Sequence, residues 1–348
     1  MSSRAALPLR LWLLLSVFLT AVQLMPTTPA VAAQRSERLR AYEGLGAWVD
    51  VYDPRLWQHP VDVVAALRAH GVQTLFLQTS TYRLGAEVFH PRVTATFLEE
   101  SHRQGMKVVG WYVPDFVDLR RDLRRSLAAV RFRSSSGQGF DSFAMDIESC
   151  RVPNPSTRSA RLVQLSARVR KAVGRQYPLG AIVISPVATH RVPSGWPGFP
   201  YRALSAYYDV FLPMGYYTFR TNGPRAAFQY TRSTLNLLRQ DTGKTNLPIH
   251  AIGGLAESTD AEEAKAFVDA ASKYHAIGAS MYDFDTSGPE DWSALAKVRV
   301  EPPPRAPAPP PANPPVPTAQ QPLFLRLIVI YSPTHVELWS VPFSSVRT

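Results

Sequence analysis

Between residues 45 and 300 short apolar runs alternate eight times with longer amphipathic ones. The strand-like runs are 46–52, 72–79, 107–113, 141–148, 181–185, 210–217, 248–253 and 277–284. The helix-like ones are 61–70, 91–104, 118–131, 157–175, 201–206, 226–240, 259–274 and 291–297. Parallel strands need crossover helices, and eight such units over about 255 residues match the usual size of a closed barrel, about 250 residues. The alternation predicts an α/β fold, a (β/α)8 TIM barrel over residues 40–300, with an open doubly wound sheet as the main rival. Gly71, Gly105 and Gly278 each precede a strand, where a left-handed helix C-cap is expected. Ser258 and Thr259 with Glu262 and Glu263 read as a capping box opening the seventh helix.

The flanks have a different character. Arg4 and Arg10 precede the apolar run 11–22, and Ala30-Val31-Ala32 is a small-x-small site, so residues 1–33 read as a signal peptide cleaved near Ala32. The expected product is a secreted, monomeric protein of the extracellular space or cell wall. Losing the signal removes two arginines and no acid, which lowers the formal charge from +11 to +9. That excess attracts anionic polymers and says nothing about fold. A single cysteine, Cys150, forms no internal disulfide, so a large core has to carry stability, as the 45% apolar composition allows. Residues 301–322 hold eleven prolines, a linker reaching up to about 65 Å at about 3.1 Å per residue. The tail, 323–348, reads as a two-strand hairpin around Ser332-Pro333-Thr334-His335. Because the linker insulates it, deleting residues 301–348 is expected to leave the melting temperature of the barrel within a few degrees of the longer chain by calorimetry. A large loss would show that the tail completes the barrel.

The fourth strand carries the most pointed chemistry. In Phe140 to Cys150, FDSFAMDIESC, alternate side chains face opposite ways, so Phe143, Met145 and Ile147 form an apolar face and Ala144, Asp146 and Glu148 the other. Carboxylates two apart on a strand lie roughly 6 to 7 Å from each other, near enough to shift each other's pKa. Barrel enzymes take their catalytic groups from the C-terminal ends of the strands. Here those ends combine acids with aromatics: Trp48, Asp50 and Asp53; Trp111 and Asp115; Asp146 and Glu148; Tyr216 and Tyr217; Tyr282 and Asp283. Aromatic faces stack on sugar C–H surfaces, and carboxylates transfer protons and bind hydroxyls, so the mouth suits a glycan. Glu148, Asp146 and Tyr216 are the catalytic candidates. Trp48, Asp50, Trp111, Asp115, Tyr217, Tyr282 and Asp283 are the substrate-binding ones.

The stretch Asp141 to Glu148, DSFAMDIE, resembles the D-G-x-D-x-D-x-E signature of family 18 glycoside hydrolases, the chitinase-like barrels, and Met214-Gly215-Tyr216-Tyr217 resembles their M-x-Y-D. Tyr282 stands where that family usually has tryptophan. The resemblance implies that Glu148 protonates the glycosidic oxygen, that Asp146 orients the substrate's acetamido group as nucleophile, and that Tyr216 hydrogen-bonds that group. Four positions depart from the pattern. Ala144 replaces the inner acid, Ser142 a glycine and Tyr217 an aspartate, and the strand-three S-x-G-G is absent from Val108 to Trp111. They imply a divergent relative using a different sugar more than an ordinary chitinase.

Other features are read as structural. Asp50 and Asp53 lack the full oxygen cage of a metal site. Arg120, Arg121, Arg124, Arg125, Arg131 and Arg133 make the third helix basic, either a solvated outer face or a contact for an anionic surface. Cys150 is expected as a buried thiol, and His250 as either a core histidine or a ligand-binding one. No phosphate-binding glycine loop, zinc spacing or nucleotide fingerprint is present, so neither a cofactor nor a nucleic-acid partner is expected. Two functions remain open: a polysaccharide-cleaving glycosidase, and a barrel that binds glycan or cell wall without cutting it.

Overall fold

The computed structural model describes residues 37–191, 195–298 and two strands of the tail. The chain divides into two compact units, Met1–Glu301 and Pro302–Thr348. In the first unit eight parallel strands close into a barrel in sequence order: β1 Gly44–Val49, β2 Thr74–Thr81, β3 Lys107–Val113, β4 Ser142–Ile147, β5 Leu179–Ile184, β6 Val210–Met214, β7 His250–Leu255 and β8 Gly278–Tyr282. Closure pairs Gly44 with Gly278 and Leu45 with Ala279. The closed barrel replaces the open-sheet alternative. In the second unit Phe324–Ser332 pairs antiparallel with His335–Pro342, the expected hairpin. The segments expected as signal peptide, 1–33, and as linker, 301–322, lie outside the described residues.

Between the strands run the expected helices, five of which begin where proline sets φ for a first turn: Pro60–Ala69, Pro91–Arg103, Pro155–Val173, Pro224–Thr242 and Pro289–Leu295. Their apolar faces and the outward residues of the strands form one core layer, with Phe143, Met145 and Ile147 of β4 in it. A second cluster fills the barrel, among it Trp48, Phe76, Val109, Trp111, Ala144, Ile182 and Leu212. The bottom is plugged by Tyr42 from the turn Arg40–Tyr42. Ser142 Oγ donates to the Pro178 carbonyl at 2.9 Å and accepts from the Tyr42 hydroxyl at 2.5 Å. Ser142, the residue in place of a glycine, is thus the anchor of this plug.

Two local expectations are corrected. Gly71 and Gly105 have positive φ as expected, whereas Gly278 does not. A Cβ at Gly278 would lie 2.4 Å from both His250 Nδ1 and the Tyr42 carbonyl oxygen, so glycine is required there by close packing, and His275 (φ 53) makes the left-handed turn instead. The seventh helix, Ala261–Lys273, is capped by Asp260, whose carboxylate accepts from Glu263 N at 2.8 Å. The Glu263 carboxylate is drawn away from a capping box by Gly223 N, 2.5 Å distant on the preceding connection.

Candidate functional site at the C-terminal mouth of the barrel

The two-residue period of β4 turns Asp146 into the barrel, where it is 8% exposed. Glu148, just past the strand, stands exposed at the mouth. The Asp146 carboxyl is pushed well above the usual carboxylate range, first by burial and then by the charge of Glu148. Glu148 is pushed up as well. Water reaches it, but protein surrounds it on most sides, and only the Arg83 guanidinium opposes the rise. Asp146 Oδ1 is buried without a hydrogen-bond partner. The position below it, where the resemblance expects a carboxyl group, holds the fully buried methyl of Ala144.

Tyr216 joins this pair from the end of β6. It has φ 41, a left-handed turn held by the bond from its backbone N–H to the Gly253 carbonyl at 2.7 Å. Strained backbone of this kind recurs at functional sites. Burial raises the pKa of its hydroxyl, and the charges of Asp146, Glu148 and Asp283 raise it further. Tyr282 packs edge-on against Tyr216, centroids 6.3 Å apart, and donates its hydroxyl to Asp50 Oδ2 at 2.5 Å. Asp283 is half-buried and its pKa is raised, chiefly by burial, while bonds from Thr286 restrain the rise.

Four substrate-binding assignments change on this geometry. Trp48 is a floor residue inside the barrel, not a platform: it stacks on Phe76 at 4.3 Å and donates its indole N–H to Ser280 Oγ at 2.8 Å. Trp111 is buried beside it, but its indole N–H has no partner. Tyr217 points the wrong way. The turn at Tyr216 sends it into the outer layer against Phe267, fully buried, its hydroxyl 3.4 Å from Thr259 Oγ1. Asp115 is spent in an ion pair with Arg121 and in accepting from Val117 N at 2.9 Å.

The residues read as structural also find their places. Asp53 caps the helix Pro54–Gln58 and pairs with Arg55. His250 is fully buried, Nδ1 on the Tyr42 carbonyl at 2.8 Å and Nε2 on Ser280 at 3.0 Å, and burial pushes its pKa down to about 4, so it is a neutral core histidine. Cys150 corrects its expectation: it is exposed on the rim beside Glu148. Three arginines of the basic helix, Leu119–Arg131, are engaged within the protein, while Arg120 and Arg131 stand exposed. Arg121 pairs with Asp115 and Asp122, Arg124 with Glu87, and the buried Arg125 donates to the carbonyls of Thr81 and Leu84.

Five further residues bear on the site and were not among the candidates. Gln78, on β2, is fully buried with Oε1 accepting from Val51 N at 3.0 Å and Nε2 unpartnered. An amide within the run TLFLQTST was the available signal. The others, Tyr52, Thr81, Arg83 and Arg151, line a cavity of about 360 Å³ together with Tyr82, Val113, Glu148, Ser149 and Cys150. They sit at or just past the ends of β1, β2 and β4, and only folding brings them together.

No family model matches the sequence, and a search of curated proteins finds no match. Solved structures do match in fold. The endo-beta-1,4-mannanase from Thermotoga petrophila aligns with a TM-score of 0.57 at 9% identity, over 74% of this chain and 76% of that one. The spore cortex-lytic enzyme SleL of Bacillus cereus gives 0.55 at 10% identity, over 74% of each chain. A chitinase from Chromobacterium violaceum gives 0.51 at 12% identity, over 73% of this chain and 98% of that one. At such identities the likeness is one of architecture, and the chain is similar to these glycoside hydrolases, chitinase-like ones among them, in its eight-stranded barrel.

Proposed function

We propose that this protein is an exported glycoside hydrolase acting on a polysaccharide or cell-wall glycan, with Glu148 as the general acid and Asp146 and Tyr216 as its partners. The observation that carries the reading is the pairing of Asp146 and Glu148 at the end of β4, both shifted toward the protonated form and both acting on Tyr216. A carboxyl that keeps its proton above the usual range is what a leaving glycosidic oxygen needs. One further atom supports an amide-bearing sugar. Asp146 Oδ1 is an unspent acceptor, costing about 1 to 3 kcal/mol if left unpaired. An acetamido N–H would satisfy it. In the step itself the acetamido oxygen attacks the anomeric carbon, the bond to the leaving sugar breaks, and the Glu148 proton passes to the departing oxygen. Water then opens the resulting ring and returns a proton to Glu148.

A barrel that binds glycan without cleaving it is the second reading. It is favoured by Ala144, which leaves Asp146 without the carboxyl beneath it, and by the cavity beside Glu148, whose walls do not include Asp146. Incubating the mature chain with neutral, amino-sugar and acidic polysaccharides and with peptidoglycan separates the two. New reducing ends are expected from at least one substrate; binding without any product would defeat the hydrolase reading.

A further inference from the structure

We propose that the cavity beside Glu148 is a subsite for a sugar bearing an anionic substituent, gripped by Arg83 and Arg151, so that the glycan this protein takes is acidic. The inference deepens the glycan reading above and rests on it. Four observations carry it.

The cavity of about 360 Å³ falls within the range of small-ligand sites, roughly 300 to 1,000 Å³. Arg83 and Arg151 line it, and neither lies within an ion-pair distance of any carboxylate among the described residues. On the adjoining helix Arg121 is paired with Asp115 and Asp122 and Arg124 with Glu87, while Arg120 stands exposed on the outer face. Arg83 and Arg151 thus bring two unpaired guanidinium groups to the cavity wall.

Arg83 is also oriented. Its Nε donates to the Tyr82 hydroxyl at 3.0 Å and its guanidinium lies 5.3 Å from the centre of the Tyr82 ring. That leaves both terminal nitrogens for a fork onto two oxygens of one anion, the geometry for which guanidinium is suited. The wall holds a further unspent group, the hydroxyl of Thr81, which is 1% exposed and has no hydrogen-bond partner. Tyr52, 58% exposed, supplies an aromatic face on the same cavity.

Charge then discriminates between ligands. The general acid is uncharged when it acts, so the working cavity carries two cations and no anion. A neutral sugar laid on them would strip water from both guanidinium groups and return no charge, whereas an anionic one compensates that loss. The shared chemistry is a carboxylate or a phosphate on the glycan.

The test is calorimetric titration of the full mature chain with trigalacturonate, with the same trisaccharide after reduction of its carboxyl groups, and with a glycerol-phosphate oligomer of the teichoic type. At least one anionic probe is expected to bind about tenfold or more tighter than the neutral trisaccharide, a preference on the scale of a partly exposed charge-assisted hydrogen bond. Arg83→Gln and Arg151→Gln should each reduce that preference and the double variant abolish it, while Arg120→Gln, on the outer helix, leaves it intact. Bound probe should also slow maleimide labelling of Cys150, which shares the cavity. Which anionic probe binds identifies the substituent. Equal affinity for charged and neutral trisaccharides, absence of binding by either anionic probe, or a preference that survives the double variant overturns the proposal. Reducing-end release is scored separately: an arginine-dependent preference without products removes the hydrolase reading and leaves the subsite, and cleavage of neutral glycans alone does the reverse.

Discussion

Glu148→Gln is expected to lower turnover of a cleaved glycan by a factor on the order of 10² to 10⁴, with binding and folding preserved. The side chain is exposed at the mouth and its carboxyl has no hydrogen bond among the described residues, so the isosteric amide removes a proton donor and no described contact. The pH dependence follows from the direction of its shift. A general acid works only while protonated, so the rate falls as pH rises through the Glu148 pKa. Surrounding protein places that fall above the ordinary glutamate range, and Arg83 limits how far. An anion bound to Arg83 would weaken this opposition and move the alkaline limb further up. If the folded variant cleaves as fast as the parent, the assignment is wrong. The search then moves to Asp283 and Asp50; Asp115 is excluded by its ion pair with Arg121.

Asp146→Asn is expected to act on activity and stability in opposite directions. Activity should drop, in kcat if Asp146 orients a reacting acetamido group and mainly in KM if it only holds a hydroxyl. Stability should rise at neutral and alkaline pH. A group whose folded pKa is raised binds a proton in the native chain that the unfolded chain, near 3.9, has already released. Its stabilising contribution is complete below that value and lost as pH rises through the folded pKa. Asparagine carries no such loss. The variant should therefore melt within about a degree of the parent at pH 4 and on the order of several degrees higher at pH 8, since about 1 kcal/mol moves a domain of 150 to 250 residues by roughly 2 to 4 °C. Equal or lower melting at pH 8 would mean that the Asp146 carboxylate is compensated in the folded state. The unpartnered Oδ1 argues against that. A gain in stability together with a loss of rate is the pattern of a group held at a cost for its chemistry.

Much of this architecture was legible in the chain order. Strand and helix alternate with periods of two and 3.6 residues, and these periods follow from backbone geometry alone. The order of the strands, the helices between them and the face that Asp146 shares with Ala144 could all be read before any contact was known. The plane of alternation also separated Phe143, Met145 and Ile147 from Ala144 and Asp146, because a strand flanked by two apolar layers has only two faces. What periodicity does not carry is height and direction at the mouth. Trp48 and Trp111 share the inward face with Asp146, yet they lie deep enough to be spent on packing the floor. Tyr216 and Tyr217 are adjacent, and one left-handed residue decides that the first joins the carboxylates and the second enters the outer core. Asp115 is removed from the site by Arg121, six residues on, and Glu148 gains Arg83 from 65 positions earlier in the chain. Such pairings depend on loop paths and on closure of the barrel, where long-range distances are set by packing of the whole and leave no local signal in the sequence.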